Sequence, residues 1–224
     1  MDPMDETHGE TSHFAGKTGR AIGMRHTVGR KKILNELHGA AERGDLDLVK
    51  RLVKQGVPLN EGGRLGQTAL RMAASAGHVD IVKYLVENGA KVNAVDIWGE
   101  TALRIAASAG HVDVVKCLVE NGAEVNAVDD SGHTALGMAA NKGHVDVVKC
   151  LVENGAQENA VDKLGNTALG KAANKGHYDV VKYLVENGAE VNAVNKWGET
   201  ALRMAASAGH VDVVKCLVEN GAEV

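Results

Sequence analysis

The sequence predicts an all-α solenoid of stacked helix-turn-helix units joined by hairpin loops, and three observations predict it. Gly66, Gly99, Gly132, Gly165 and Gly198 recur at a step of 33 residues, each followed by x-Thr-Ala-Leu. A period of that size marks units that bury their apolar faces only by stacking on one another. Each period carries two short apolar patterns at helical spacing, separated by glycine. The chain is 44% hydrophobic but only 3% aromatic, so its core must come from small side chains on closely approaching backbones, which short packed helices supply.

Residues 1–30 carry scattered glycines and no apolar periodicity, and read as a flexible leader. Within them Ala15–Arg20, "AGKTGR", looks like part of a phosphate-binding loop, but Thr11 stands where that motif needs glycine and no apolar strand precedes it. No nucleotide site is expected. The repeat domain follows over 31–224. Its first unit, 31–62, is the weakest copy, and Glu36, Arg43, Asp45 and Arg51 suit a polar N-terminal cap. Full units then cover 63–95, 96–128, 129–161, 162–194 and 195–224.

The unit 96–128 shows why each segment folds as it does. Thr101 is placed to cap a short helix running to about Ser108, which Gly110 breaks. A second helix is expected from His111 to about Asn121, with Val112, Val115, Leu118 and Val119 on one side, and Gly122 supplies the left-handed residue that ends it. The remainder, rich in Gly, Asn and Asp, is left for a turn or hairpin.

On these residues the unit resembles the ankyrin repeat, whose pattern has the same length and contains Thr-Pro-Leu-His-x-Ala, then Gly-His, then Gly-Ala-x-Val-Asn-Ala. The resemblance runs from about Leu34 to Val224. It implies a non-enzymatic module that binds a protein partner through a concave face of hairpin tips and first helices, without a cofactor. Two departures stand out. The family's Pro is Ala69, Ala102, Ala135, Ala168 and Ala201, a small loss because Ala is a good helix former. The family's His is Arg71, Arg104 and Arg203 or Gly137 and Gly170, which leaves open the inter-repeat hydrogen bonding that the resemblance assigns to it. Glu158 and Lys171 replace apolar residues of the other units, and each is expected to stay partly exposed. The Val-Asn-Ala turn also resembles substrates of an asparaginyl hydroxylase, which would implicate Asn93, Asn126 and Asn192, secondary to the turn's structural use.

The copies can be compared with one another. Counting the Asp of each unit as position one, they diverge at positions two, three, five, nine, ten, thirteen and fourteen. On a helix, five, nine and thirteen form one stripe and ten and fourteen the next. The second helices, exposed face included, hardly vary. The divergent positions therefore predict a recognition face, led by Trp98, Trp197, Arg104, Arg203, Glu100 and Glu199. Ser131, His133, Met138, Lys142, Lys163, Leu164, Lys171, Lys175 and Lys196 complete it. Trp and Arg are the residues that dominate binding hot spots. Arg at position nine travels with Ser-Ala at thirteen and fourteen, and Gly with Asn-Lys; physical coupling, duplication of whole units and cassette assembly all account for this.

Other function classes find no support. A net charge of −4 argues against a nucleic-acid or anionic-membrane surface. No apolar run is long enough to span a bilayer and no secretory signal opens the chain, so a cytoplasmic location is expected. Cys117, Cys150 and Cys216 share one repeat position; even helices of adjacent repeats sit roughly 8–10 Å apart, too far for disulfides, so the three read as reduced packing residues. His78, His111, His144, His177 and His210 recur once per repeat and cannot converge on a metal. No catalytic set emerges. A monomeric binder, natural or engineered, is expected; the alternative is an uncapped structural fragment of a longer repeat array that self-associates through Val211, Val214 and Leu217 of the last unit.

Overall fold

The computed structural model describes residues 15–223, with side chains from residue 29 onward. Its helices form two layers. The first contains α1 (Ala15–Arg43), α3 (Ala69–Ala76), α5 (Ala102–Ala109), α7 (Ala135–Lys142), α9 (Ala168–Lys175) and α11 (Ala201–Ser207). The second contains α2 (Leu46–Lys54), α4 (Val79–Glu87), α6 (Val112–Glu120), α8 (Val145–Glu153), α10 (Tyr178–Glu186) and α12 (Val211–Glu219). Each helix packs on its neighbours within the layer and on its own partner in the other. The loops between pairs contain no strand among the described residues.

Local chemistry explains the helix ends. The Thr101 hydroxyl accepts from the Arg104 amide at 3.2 Å, and Thr68, Thr134, Thr167 and Thr200 cap their helices in the same way. Gly110 closes α5 at φ 81°, a left-handed backbone that a Cβ would strain. The core lies between the layers. Leu103, Ala106 and Ala107 of α5 and Val114, Val115 and Leu118 of α6 are buried, and their equivalents repeat this along the stack. The alanine pairs let first helices of adjacent repeats approach, while each buried leucine contributes about 2 kcal/mol of apolar transfer. Cys117, Cys150 and Cys216 are buried free thiols, and burial pushes all three up from the usual thiol range.

The first helix runs across the boundary after residue 30, where the repeat domain is expected to begin. α1 begins at Ala15, so half of the stretch read as a flexible leader is helical, "AGKTGR" included. Leu34, Leu37, Ala40 and Ala41 are buried at its packed end. Once packing has nucleated a helix there, extending it costs little and needs no apolar periodicity. The rest of the leader, residues 1–14, lies outside the described residues.

Candidate functional site

Position one of each unit shapes the hairpin tip. Asp96 Oδ1 accepts from the amides of Trp98 and Glu100 at 2.9 and 3.0 Å. Asp129 holds Ser131 and His133, Asp162 holds Leu164 and Asn166, and Asn195 holds Trp197 and Glu199 with the same geometry. Consecutive tips are then tied by a single backbone bond. The amides of Asp130, Lys163 and Lys196 donate to the carbonyls of Trp98, Ser131 and Leu164 at 3.0 Å, and that of Ile97 to Leu65 at 3.2 Å. Side chains at positions two and three thus project one set per repeat. Trp98 is 45% exposed and Trp197 61%, and Ile97 and Leu164 are exposed beside them.

Behind the tips runs a ladder of charge. Arg71 of α3 lies 3.0 Å from Asp96 of the next repeat and also pairs with Glu100. Glu100 pairs in turn with Arg104, whose Nε lies 3.6 Å from Asp129 of the repeat beyond. His133 Nδ1 is 3.1 Å from Asp129 Oδ2 and its Nε2 3.8 Å from Asp162 Oδ2, and Lys171 Nζ completes the row 2.9 Å from Asp162. In the last repeat Asn195 donates to Asn166 and to Glu199 instead. Burial raises the Asp129 and Asp162 carboxyls, yet their hydrogen bonds and the adjacent His133 and Lys171 outweigh it and leave both below the usual carboxylate range. Burial likewise pushes the Arg71 and Arg104 guanidiniums down, against the raising influence of Asp96 and Asp129.

This ladder engages part of the expected recognition face. Arg104 is 4% exposed and cannot reach a partner; it connects repeats, and so supplies the inter-repeat contact left open when His was absent from its position. Glu100 is consumed between Arg71 and Arg104, and Lys171, half-buried, is also paired with Asp162. Glu158 is half-buried. Positions five and nine thus lie in the seam between repeats: a helix-periodicity argument places them on one face of their own helix, while only the neighbouring unit decides whether that face is covered.

The other expected residues sit differently. Ser131, Lys142, Lys163, Leu164, Lys175, Lys196, Trp197, Arg203 and Trp98 are exposed, while His133, Met138 and Glu199 are half-buried. Comparison of copies missed Val95, Val128, Val161 and Val194, a row of valines at the entry to each tip that are all more than half exposed. They do not vary, so a search for variation passes over them. The signal that could have found them is an apolar residue in a polar turn, outside any helical stripe.

The remaining constant polar residues are occupied in stacking. His111 Nε2 donates to the Ser75 carbonyl at 3.0 Å, and His78, His144, His177 and His210 reach back one repeat identically. The Asn93 amide donates to the Gly122 carbonyl at 3.1 Å and accepts from the Glu124 amide at 2.9 Å. Asn126 and Asn192 make the same two bonds, so the candidate hydroxylation residues have both amide groups engaged across the repeat boundary.

Among the described residues no group of His, Cys, Asp and Glu is placed to hold a metal ion, and no helix is long and apolar enough to cross a membrane. The family model described as ankyrin repeats (3 copies) matches residues 37–129 and 126–195, and the ankyrin repeat model matches 197–224. Compared with curated proteins, the chain has no match.

Proposed function

Because the chain belongs to the ankyrin-repeat family, whose repeats mediate protein–protein interaction, we propose that it binds a protein partner through the concave face of hairpin tips and first helices. The observation that carries this reading is the exposure of Trp98 and Trp197 at tips whose turns are held by hydrogen bonds within the unit and to the preceding repeat. The hydrogen bonds of the turn use the backbone amides of Trp98 and Trp197 and not their indoles, whose exposed surface is available to a partner. The tips are ordered before binding, so association loses little conformational entropy. An ordinary interface of about 800 Å² per partner would span most of the array.

Affinity capture with the wild-type chain against the Trp98→Ala, Trp197→Ala double variant tests this. Partners held by the first and released by the second are expected. Equal retention by both places the interface elsewhere.

A second reading has its own observation. Val211 and Val218 of α12 are 61% and 49% exposed, whereas the equivalent Val112 and Val119 are half-buried under the following repeat. In this reading that surface joins two copies. Light scattering tests it: a concentration-dependent dimer lost in Val211→Ser, Val218→Ser supports it, and a monomer at all concentrations excludes it.

A further inference from the structure

The molecule carries a net charge of −4, yet its charge is segregated. On the tips and first helices of the last three repeats, Lys142, Lys163, Lys175, Lys196 and Arg203 are exposed, and none forms an ion pair among the described residues. The carboxylates of that face are withdrawn: Asp129 and Asp162 sit in the ladder, Glu199 is half-buried against Asn195, and Asp130 alone is exposed. Acidic residues dominate the opposite layer, where α8, α10 and α12 each expose an Asp and a Glu against one Lys.

Local stability does not account for the lysines. Lys142 and Lys175 end α7 and α9, where a cation complements the helix dipole. Ala76 and Ala109 occupy the same place in α3 and α5, which end on the same left-handed glycine. Lys163 and Lys196 occupy a tip position that Ile97 fills in a tip of the same form. These tips are adjacent and fixed in register by the bond from the Lys196 amide to Leu164, and Leu164 and Trp197 stand exposed among the cations. The first two full repeats differ, presenting Ile97 and Trp98 with Arg71 and Arg104 neutralised and a single exposed tip cation, Arg64, with two repeats between it and the adjacent Lys163 and Lys196 tips.

We propose that the last three repeats bind an acidic peptide segment of the partner, its carboxylates on Lys142, Lys163, Lys175 and Lys196 and its apolar side chains on Leu164 and Trp197. This rests on the reading that tips and first helices form the binding face. Charge complementarity favours a short acidic peptide over a nucleic acid, because a long polyanion would also run past the carboxylates of the second layer and the net negative charge opposes it.

The test is fluorescence anisotropy with a labelled oligoglutamate peptide ending in Leu-Phe-Leu, its oligolysine counterpart and single-stranded oligothymidylate. Lys163→Glu with Lys196→Glu is expected to weaken the acidic peptide by roughly tenfold or more, with binding that falls as salt rises. Lys116→Glu with Lys182→Glu, on the second layer, is expected to change it less than about twofold. All four lysines are exposed, and circular dichroism verifies that both variants keep the fold. Oligolysine binding as tightly as oligoglutamate, or oligothymidylate binding more tightly, overturns the acidic-peptide proposal while the Trp capture experiment still stands. Equal weakening by both lysine pairs overturns the binding face itself.

Discussion

Arg71 in the first helix of one repeat lies 3.0 Å from Asp96 at the tip of the next, so the hairpin that presents Trp98 is anchored by a side chain from the preceding unit. Arg104 and Asp129 repeat the relation one step along. Arg104, which looks like part of a binding surface in sequence, therefore acts with Arg71 as a strut between repeats, whereas Arg203 stays exposed.

Arg104→Ala follows directly. It takes one cation each from Glu100 and Asp129 at a buried seam, leaving them Arg71 and His133, and the loss of a charge-assisted contact there should cost about 1.5–3 kcal/mol. Arg203 occupies the same repeat position but is exposed, so Arg203→Ala should stay within about 0.5 kcal/mol. Urea denaturation of the two variants checks this, and equal effects would refute the assignment of Arg104 to the stack.

Gly110 faces a second constraint from the neighbouring repeat. Its φ is 81°, and a Cβ there would come 2.7 Å from Nδ1 of His144, whose Nε2 donates to Ser108. Gly209 has φ 78° with nothing within 4 Å of the same added carbon. Gly209→Ala should therefore cost only the conformational strain, about 1–2 kcal/mol. Gly110→Ala should cost more, because the imidazole must also move and give up its bond. Thermal melts of the pair isolate the inter-repeat histidine contact as the difference.

Most of the fold is legible in the chain because its determinants are local: Thr101 as cap, Gly110 as stop, and apolar residues at helical spacing. The start of α1 is not, since a helix extended from a packed end carries no periodic signal of its own. In the candidate site, Trp98 and Trp197 are read correctly as tip residues, because the position-one carboxylate or amide shapes the turn within five residues. The pairing of Glu100 and Arg104 is not legible, because partners of both lie in adjoining units, and that of Lys171 is not, because Asp162 stands nine residues earlier across the turn of its own unit. Within one repeat, a residue that will be covered by the next looks the same as one left for a ligand.

The carboxylates of the ladder give the fold an acid limit. Asp129 and Asp162 are held below the usual carboxylate range, and an unfolded Asp titrates near 3.9. The folded state therefore holds fewer protons than the unfolded one, and the stabilisation is complete above the unfolded value and lost as pH falls through the folded values. Asp162→Asn removes one such group while keeping the tip, since Asn195 holds Trp197 and Glu199 through the same oxygen. Denaturation midpoints measured across the acid range should fall less steeply for the variant than for wild type, and parallel curves would contradict a folded-state role for this carboxylate.

The two tryptophans should separate binding from stability. Truncating Trp98 leaves its amide on Asp96 and its carbonyl on Asp130, and Trp197 keeps its amide on Asn195. Neither indole makes a hydrogen bond of the turn, so Trp98→Ala, Trp197→Ala should melt close to wild type, within about 1 kcal/mol. A buried Trp anchor at an interface is worth about 2 kcal/mol or more, so affinity for a captured partner should fall at least roughly thirtyfold per ring. A variant that melts early and binds weakly would mean that the rings pack on their own repeats, whereas normal melting with lost binding assigns them to the partner.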